Sequence, residues 1–314
     1  MTSTTITQPT DKRPRFWGGG PEGALGRSRE RLGWALAAPT VITLLVVAIY
    51  PLGRTLWLSL TNARLGSTRA VEFVGLENYA YLLTNDIFRK SIWNTIVFTV
   101  SSVALETILG LAVALVIHSN FQGRGLVRTA ILVPWAIPTV VSAQMWAWMF
   151  NDVFGVINDF LVVQLGILPQ KVAWLANPTT SMAAIVFVDV WKTTPFMALL
   201  LLAGLQVISD DLYEAARVDG ANRWQSFWRI TLPLLKPALL VALVFRTMDA
   251  LRVFDVIFVM KAYALETISM AIFARQTMID LQRIGEGSAA SVIIFAIIAA
   301  FVLLYIRMLR IEEA

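Results

Sequence analysis

The chain has 314 residues, of which 57% are hydrophobic and 15% are charged, whereas about 25% of the residues in a typical soluble domain are charged. This composition excludes an ordinary soluble enzyme, because too few polar residues remain to cover a water-exposed surface. It also excludes intrinsic disorder, which requires low hydrophobicity. The chain has no cysteine and one histidine, His118, so disulfides, thiolate catalysis and multi-histidine metal sites are excluded as well.

Six segments are long and apolar enough to cross a bilayer, since a helix needs about 20 mostly apolar residues to span the hydrocarbon core. They are residues 34–53, 91–117, 129–150, 179–205, 237–260 and 287–306. Pro134 and Pro138 either kink the third span or serve its packing. The fifth span is the weakest by hydropathy, because it holds four charged residues. We therefore predict an all-α membrane protein with six transmembrane helices.

The distribution of lysine and arginine predicts the orientation of these spans. With the N-terminus in the cytoplasm, 14 of these residues lie in cytoplasmic segments and 8 lie on the opposite side, so both termini are predicted to be cytoplasmic. Residues 1–33 are polar and are predicted to be a mostly disordered tail. Residues 34–310 then form the membrane domain, and residues 311–314 form a second tail. Because no small-residue cleavage site follows the first span, we expect this span to remain in the mature protein.

The cytoplasmic segment between the fourth and fifth spans is predicted to be a helix–turn–helix. Ser209 is placed to cap the first helix, and Gly220 is placed to end it. Asn222 and Gln225 have the spacing of a capping box for a second helix, which is predicted to end at Pro233. The pair either lies outside the membrane, where another protein can approach it, or rests on lipid headgroups, since tryptophan and phenylalanine favour the interface.

Residues 206–236 carry a recognisable motif. The sequence reads Glu214-Ala215-Ala216, three residues, Gly220, nine residues, and then Ile230, one residue, Leu232 and Pro233. This pattern resembles, with complete spacing, the EAA motif of permease subunits in binding-protein-dependent ABC importers. Over roughly residues 33–310 the chain is similar to the carbohydrate branch of these permeases, in particular the first permease of the maltose and glycerol-phosphate type, and also to mycobacterial trehalose-importer permeases. Further motifs of that branch match Trp146 to Asn151, Gly155 to Asn158, Trp191 to Phe196 and Leu202 to Leu205.

This resemblance implies a permease with the type I ABC importer fold, located in a bacterial inner membrane. It also implies three partners: a second EAA-type permease, a homodimer of a cytoplasmic ATPase, and an extracellular sugar-binding protein or lipoprotein. The surroundings are membrane lipid, and no nucleic acid is expected. The chain has no GxxxxGK[ST] loop, which is the sequence that cradles nucleotide phosphates. We therefore expect this chain to be no enzyme and to bind no cofactor, with Mg-ATP bound by the partner ATPase. The expected substrate is a disaccharide, with trehalose favoured.

In the family that the chain resembles, the EAA segment forms a short helix that sits in a groove of the ATPase. The positions that match this coupling role are Glu214, Ala215, Ala216, Asp219, Gly220 and Arg223. Glu214 is expected to make a polar contact, the alanines to allow close approach, and Gly220 to allow a sharp turn. Pro233 and Pro237 either transmit movement of the ATPase into the membrane or merely end helices.

Ionisable residues lie at membrane depth in the two spans that flank the EAA segment. They are Asp189, Lys192, Arg246, Asp249, Arg252 and Asp255. They form three pairs spaced i,i+3, so the members of each pair share a helix face. Either these pairs neutralise each other and lock the packing, or they line a path for a hydroxyl-rich solute. Glu106, in the second span, is interpreted as a packing group, with contact to a partner subunit as the alternative.

By resemblance, sugar contacts come from the spans on either side of the EAA segment. The matching residues are Asp189, Lys192, Thr193, Phe196, Arg246, Asp249, Ala250 and Val253. Phe196 could stack on the C–H face of a sugar. The chain departs here from the maltose-type pattern, because it has charges where that pattern has amides, small residues and aromatics.

Two other classes of protein remain as alternatives. An ion-gradient-driven secondary transporter of a small polar solute would make use of intramembrane carboxylates, but it would not explain the complete EAA motif. A membrane-embedded enzyme finds no support in the sequence, since the chain has neither paired histidines nor a metal-ligand cluster.

Overall fold

A computed structural model describes residues 24–311, with side chains described for residues 31–307. Regular structure over this range is helical, and one isolated bridge pairs Thr61 with Phe73. The chain divides into two units between Arg54 and Thr55. Residues 1–23 of the predicted N-terminal tail and residues 312–314 of the predicted C-terminal tail lie outside the described residues.

The first unit holds most of the first candidate span, and the last residues of that span, from Thr55 to Ser59, belong to the second unit. Helix α1 (Ala24–Leu44) continues through a π-helical turn (Leu45–Ile49) into α2 (Tyr50–Ser59), and residues Arg31–Ser59 are apolar enough to span a membrane. Residues 24–33 are helical, although the sequence predicts a tail there. The reason is local, because residues 24–32 are mostly alanine, leucine, arginine and glutamate, all of which favour helix.

The second unit begins with a short helix and a long one. Helix α3 (Glu77–Thr84) is followed directly by α4 (Asp86–His118), a candidate span. The side chain of Asn85 caps α4 by accepting a hydrogen bond from the backbone N–H of Phe88 at 2.9 Å. Helix α4 thereby begins a few residues before the predicted apolar stretch.

The predicted third span is two helices rather than one. Helix α5 (Arg124–Ala136) and α6 (Thr139–Met149) meet at 88°. The break falls at Pro138, which has no N–H to donate and forces the preceding Ile137 into an extended conformation (ψ 133°). Pro134 lies inside α5 without ending it. The described chain therefore has five candidate spans, or six if this bent pair counts as one.

The middle of the second unit has two short helical segments followed by a long helix with a buried face. Helix α7 (Val156–Asn158) and a π-helical turn (Asp159–Gln164) precede α8 (Pro178–Leu205). Asn177 caps α8, and Pro178 occupies its first position, where a missing N–H costs nothing. Helix α8 packs along α4 and is a candidate span.

The second half of the EAA segment continues directly into the next span. Helix α9 (Asp210–Val218) is separate, but α10 (Arg223–Ser226), a π-helical stretch (Phe227–Thr231) and α11 (Leu232–Leu251) follow one another without interruption. The predicted helix end at Pro233 is therefore wrong. Pro233 is in the first turn of α11, directly after the π-helical stretch, and a widened turn of this kind relieves the crowding that a proline causes in a regular helix.

The predicted fifth span is interrupted near its end. Helix α11 ends at Leu251, and α12 (Asp255–Lys261) starts after a short break. Helix α13 (Met270–Arg275), a π-helical turn (Gln276–Asp280) and α14 (Ile284–Ile311) complete the described chain. Helix α11 packs against α4, α8 and α14, so the helix after the EAA segment is central to the second unit.

Candidate functional site

Helix α9 carries the first half of the EAA motif, and its ends form as the sequence predicts. The Ser209 hydroxyl accepts a hydrogen bond from the N–H of Asp211 at 3.3 Å. At the other end Gly220 has a φ of 79°, a conformation that glycine adopts without strain. The N–H of Ala221 donates to the carbonyl of Ala216 at 2.8 Å, and that of Gly220 donates to the carbonyl of Arg217 at 3.1 Å. These two bonds form a Schellman motif, which ends the helix sharply.

The second half of the motif starts at the predicted capping box. The N–H of Gln225 donates to Asn222 Oδ1 at 2.8 Å, and the N–H of Asn222 donates to Gln225 Oε1 at 2.9 Å. Both bonds satisfy N–H groups that a helix start leaves without partners. Helix α10, and therefore the long helix into the membrane, begins at a well-defined point.

The residues assigned to coupling form an exposed surface. Ala216 is half-buried, and the others are exposed: Glu214, Ala215, Asp219, Gly220 and Arg223. An exposed charged group beside small residues permits close contact with another surface. On the next helix Trp224 and Trp228 are 70% and 50% exposed, so the interpretation in which part of this segment rests on lipid headgroups stays open.

Seven of the eight residues assigned to the substrate path line one cavity. Its volume is about 330 Å³, and the seven residues are Asp189, Lys192, Thr193, Arg246, Asp249, Ala250 and Val253. Sites for small molecules generally fall between about 300 and 1,000 Å³, so the cavity is large enough for a ligand. Phe196 is outside this lining. Its ring stacks on Trp135, which does line the cavity, with 6.0 Å between the ring centroids and 13° between the planes.

Arg246 pairs with carboxylates both across helices and along its own helix. Arg246, which is 3% exposed, bonds to Asp189 on α8 and donates from Nη1 to Asp249 Oδ2 at 3.1 Å. Of the three predicted i,i+3 pairs, only Arg246 with Asp249 forms. Asp189 and Lys192 do not pair, because Asp189 bonds to Arg246 and Lys192 Nζ donates to the carbonyl of Trp135 at 3.4 Å.

The third predicted pair fails because the helix ends between its members. Helix α11 stops at Leu251, and α12 starts at Asp255, so Arg252 and Asp255 do not share a helix face. Arg252 instead reaches back to Asp249 Oδ1 at 3.6 Å. The alternative in which three i,i+3 pairs neutralise each other therefore applies to one of the three pairs.

Glu106 belongs to this charge network, although its sequence context does not predict a place in the path. Its side chain is fully buried and bonds to the guanidinium of Arg246 through both oxygens. Its Oε1 also accepts from Thr193 Oγ1 at 2.6 Å. A sequence signal was available, because a lone carboxylate in a membrane span requires a partner, but the partner is 140 residues away.

A further ion pair joins the end of α12 to the segment that leads to α13. Lys261 Nζ and Glu266 Oε1 are 2.8 Å apart, and Lys261 also donates to the carbonyl of Leu175. The hydrogen bond from Lys261 and a backbone hydrogen bond lower the pKa of Glu266 from its ordinary value. Charge on Glu266 therefore stabilises the folded segment.

The fold and the cavity define the class of the protein. It is a multi-helix membrane chain with a polar cavity in its spanning region. An exposed pair of short helices precedes one of its long helices. This is the architecture of a transport permease. The family described as "Binding-protein-dependent transport system inner membrane component" matches residues 106–312. The chain belongs to this family and is a multi-pass inner-membrane permease of a carbohydrate ABC transporter.

Two relatives and one solved structure agree with this assignment. The chain is 44% identical to the trehalose/maltose transport system permease protein MalF of Thermococcus litoralis, over 89% of this chain and 94% of that protein. It is 39% identical to the trehalose transport system permease protein SugA of Mycobacterium tuberculosis, over 90% and 89%. A bacterial alginate ABC transporter, crystallised in complex with its alginate pentasaccharide-bound periplasmic protein, matches with a TM-score of 0.80 and 25% identity, over 91% and 96%. The fold is that of a type I ABC importer permease, as predicted.

Proposed function

We propose that this chain is one of two permease subunits of an ATP-driven importer of a disaccharide, with trehalose as the substrate. In this proposal the cavity beside Asp189, Arg246 and Asp249 is this subunit's half of the translocation path. Helix α9 and the start of α10 contact the ATPase. The other half of the path belongs to a second EAA-type permease.

The position of the cavity carries this proposal. Most of its polar lining comes from α8, the helix before the EAA segment, and from α11, the helix after it. Because α10 runs without a break into α11, Arg223, at the edge of the surface assigned to the ATPase, is on one continuous helix with part of the cavity wall. A movement at Arg223 could therefore reach the sugar path along this helix.

The chemistry of the lining suits a sugar. Asp189 and Asp249 can accept hydrogen bonds from hydroxyl groups, while Lys192 and Arg252 can donate to them. Val253 and Ala250 supply apolar surface beside these groups. The names of the relatives in Thermococcus litoralis and Mycobacterium tuberculosis support trehalose as the first substrate to test.

The remaining parts of the importer are expected on other chains. An extracellular sugar-binding protein or lipoprotein would deliver the substrate, and a homodimer of a cytoplasmic ATPase would bind Mg-ATP. Both termini of this chain would be cytoplasmic, which places the EAA segment on the side of the ATPase. No feature of the described structure favours the alternative of an ion-gradient-driven transporter.

Uptake by vesicles that contain the complete importer tests this proposal. Radiolabelled trehalose should enter when the binding protein is outside and Mg-ATP is inside, and a non-hydrolysable ATP analogue should abolish uptake. Uptake driven by a proton or sodium gradient without ATP would contradict the importer mechanism. Excess unlabelled trehalose should block uptake of the label, and excess sucrose should not. If ATP drives the uptake of another disaccharide but not of trehalose, the mechanism stands and the substrate is wrong.

A further inference from the structure

Glu106 is buried behind the wall of the cavity rather than in it. Its side chain is 0% exposed, and it is absent from the lining, although both of its bonding partners, Arg246 and Thr193, line the cavity. A carboxylate in this position cannot contact a ligand directly. It can, however, determine where two ligand-facing groups point.

Each of the three guanidinium nitrogens of Arg246 bonds to a carboxylate. Nε and Nη2 bond to Glu106, Nη2 also bonds to Asp189, and Nη1 donates to Asp249 at 3.1 Å. A planar guanidinium held on one edge by two parallel bonds to a carboxylate has a single orientation. Glu106 on α4 therefore fixes the direction in which Arg246 presents its remaining donors to the two aspartates.

Thr193 is held by the same carboxylate. Its hydroxyl is 2.6 Å from Glu106 Oε1 and also 2.6 Å from the backbone carbonyl of Asp189. A threonine hydroxyl has one proton. Because both neighbours are acceptors, this proton is donated to a protein oxygen and is not available to a ligand. Thr193 is left to face a ligand as an acceptor only.

Three carboxylates bond to Arg246, whereas one would be enough to neutralise its charge. Glu106, Asp189 and Asp249 come from α4, α8 and α11 respectively. Their side-chain exposures are 0%, 10% and 59%. The buried carboxylate anchors the guanidinium, and the exposed one is the carboxylate with surface available to a solute.

We propose that Glu106 is a positioning residue of the sugar path, which orients Arg246 and Thr193 so that Asp189 and Asp249 accept hydrogen bonds from the substrate. This inference rests on the proposed function, because it assigns a task to Glu106 only if the cavity carries sugar. It differs from a packing role. Packing requires only that the carboxylate be satisfied, whereas positioning requires its two oxygens to hold two particular groups.

The test compares Glu106→Gln with Ser102→Ala in vesicles that contain the complete importer. Ser102 is also fully buried on α4, one turn earlier, and is not in the cavity lining. Trehalose uptake and phosphate release are measured on the same vesicles. Glu106→Gln should lower the trehalose imported per phosphate released by about tenfold, the effect of losing about one charge-assisted hydrogen bond, and Ser102→Ala should leave this ratio unchanged.

A purely structural role gives a different result. Uptake and phosphate release would then fall in proportion to the amount of assembled importer, with an unchanged ratio, and this outcome would overturn the proposal. If Glu106→Gln does not assemble, Glu106→Asp serves instead, because it keeps the charge but shortens the reach to Arg246. A reduced ratio in that variant supports positioning, and an unchanged ratio rejects it.

A second comparison tests whether Glu106 acts through Arg246. In an Arg246→Lys background, Glu106→Gln should cause little further loss, because the two-bond contact is already gone. Full additivity of the two changes would contradict the proposal. Failure of the wild-type importer to take up trehalose would instead contradict the proposed function, so the two failures are distinguishable.

Discussion

Gly204 and Ala238 bring α8 and α11 into direct contact. A Cβ atom added at Gly204 would lie 2.4 Å from the Cβ of Ala238 and 2.9 Å from Cδ1 of Leu235. Two helices approach this closely in a membrane only where small residues meet. The contact joins the helix before the EAA segment to the helix after it.

Gly204→Ala should therefore destabilise the protein, because the added methyl group forces the two helices apart. We expect a loss of about 1–3 kcal/mol, as for other overpacked contacts, observed as a lower unfolding midpoint of the purified importer. Gly125→Ala is the matched control, since nothing lies within 4 Å of the Cβ added there. Adding Ala238→Gly to Gly204→Ala should recover part of the loss, and a double variant no more stable than the sum of the single changes would contradict this explanation.

Glu214→Ala should weaken the stimulation of ATP hydrolysis by the loaded binding protein. Glu214 is exposed on α9, so its removal should leave the fold intact while removing a polar contact to the ATPase. We expect the stimulation of ATP hydrolysis by the loaded binding protein to fall by about tenfold, the effect of one lost hydrogen bond to a charged group. Glu77→Ala, the same change on α3, should leave stimulation unchanged. Equal stimulation in the wild type and in Glu214→Ala would remove this residue from the coupling surface.

Asp249→Asn should impair transport but not substrate capture by the binding protein. Its carboxylate lines the cavity and is 59% exposed, and the amide that replaces it accepts fewer hydrogen bonds from sugar hydroxyls. Trehalose uptake should fall by about tenfold, and binding of trehalose to the isolated binding protein should be unaffected. Asp159→Asn, an exposed change outside the cavity, should transport normally. Wild-type uptake by Asp249→Asn would exclude this carboxylate from the path.

Asn158→Asp should be strongly destabilising even though the two side chains have nearly the same shape. Asn158 is fully buried, and its Nδ2 donates to the carbonyl of Val172 at 2.9 Å, while its Oδ1 accepts from the N–H of Val172 and from Trp174 Nε1, both at 3.0 Å. A carboxylate cannot donate to that carbonyl, so we expect a loss of about 3 kcal/mol.

Asn177→Asp is the control for this change. Asn177 caps α8 by accepting from the N–H of Thr179, and aspartate caps equally well. The unfolding midpoint of this variant should match that of the wild type. Equal effects of the two substitutions would show that the Asn158 donor has no special importance.

Glu266→Gln should lower stability more at neutral pH than in acid. Because the folded protein lowers the pKa of Glu266 below its ordinary value of 4.5, the charged form stabilises the folded state above that pH. This contribution is lost as the pH falls through the lower folded pKa. The difference in unfolding midpoint between wild type and variant, worth at most about 1 kcal/mol for a pair near the surface, should be present at pH 7 and should shrink as the pH falls below 4.5. A difference independent of pH would assign the effect to shape rather than charge.

Hydropathy and motif spacing predict most of the architecture. Long apolar runs locate the spans because the bilayer sets their length, and the caps at Ser209, Gly220 and Asn222 form as predicted because capping is decided by neighbouring residues. The break at Ile137 is harder to predict. The proline at 138 marks a weak point, but an 88° turn depends on what the two half-helices pack against.

The partners of the cavity charges could not be predicted from spacing. An i,i+3 rule finds Asp249 for Arg246, yet the guanidinium also takes Glu106 and Asp189, which are 140 and 57 residues away. Which carboxylates meet one arginine is decided by the packing of α4, α8 and α11. The lone acid in the second span indicated only that some partner exists.

If the start of α10 contacts the ATPase as proposed, the helix from Arg223 to Leu251 would act as a lever on the cavity. Since a helix rises about 1.5 Å per residue, Arg246 lies about 35 Å from the start of α10, and a tilt of about 5° there would displace it by about 3 Å. A displacement of that size is as long as a hydrogen bond. A small rotation at the start of α10 would thus be enough to exchange the partners of Arg246 and to change what the cavity offers its ligand.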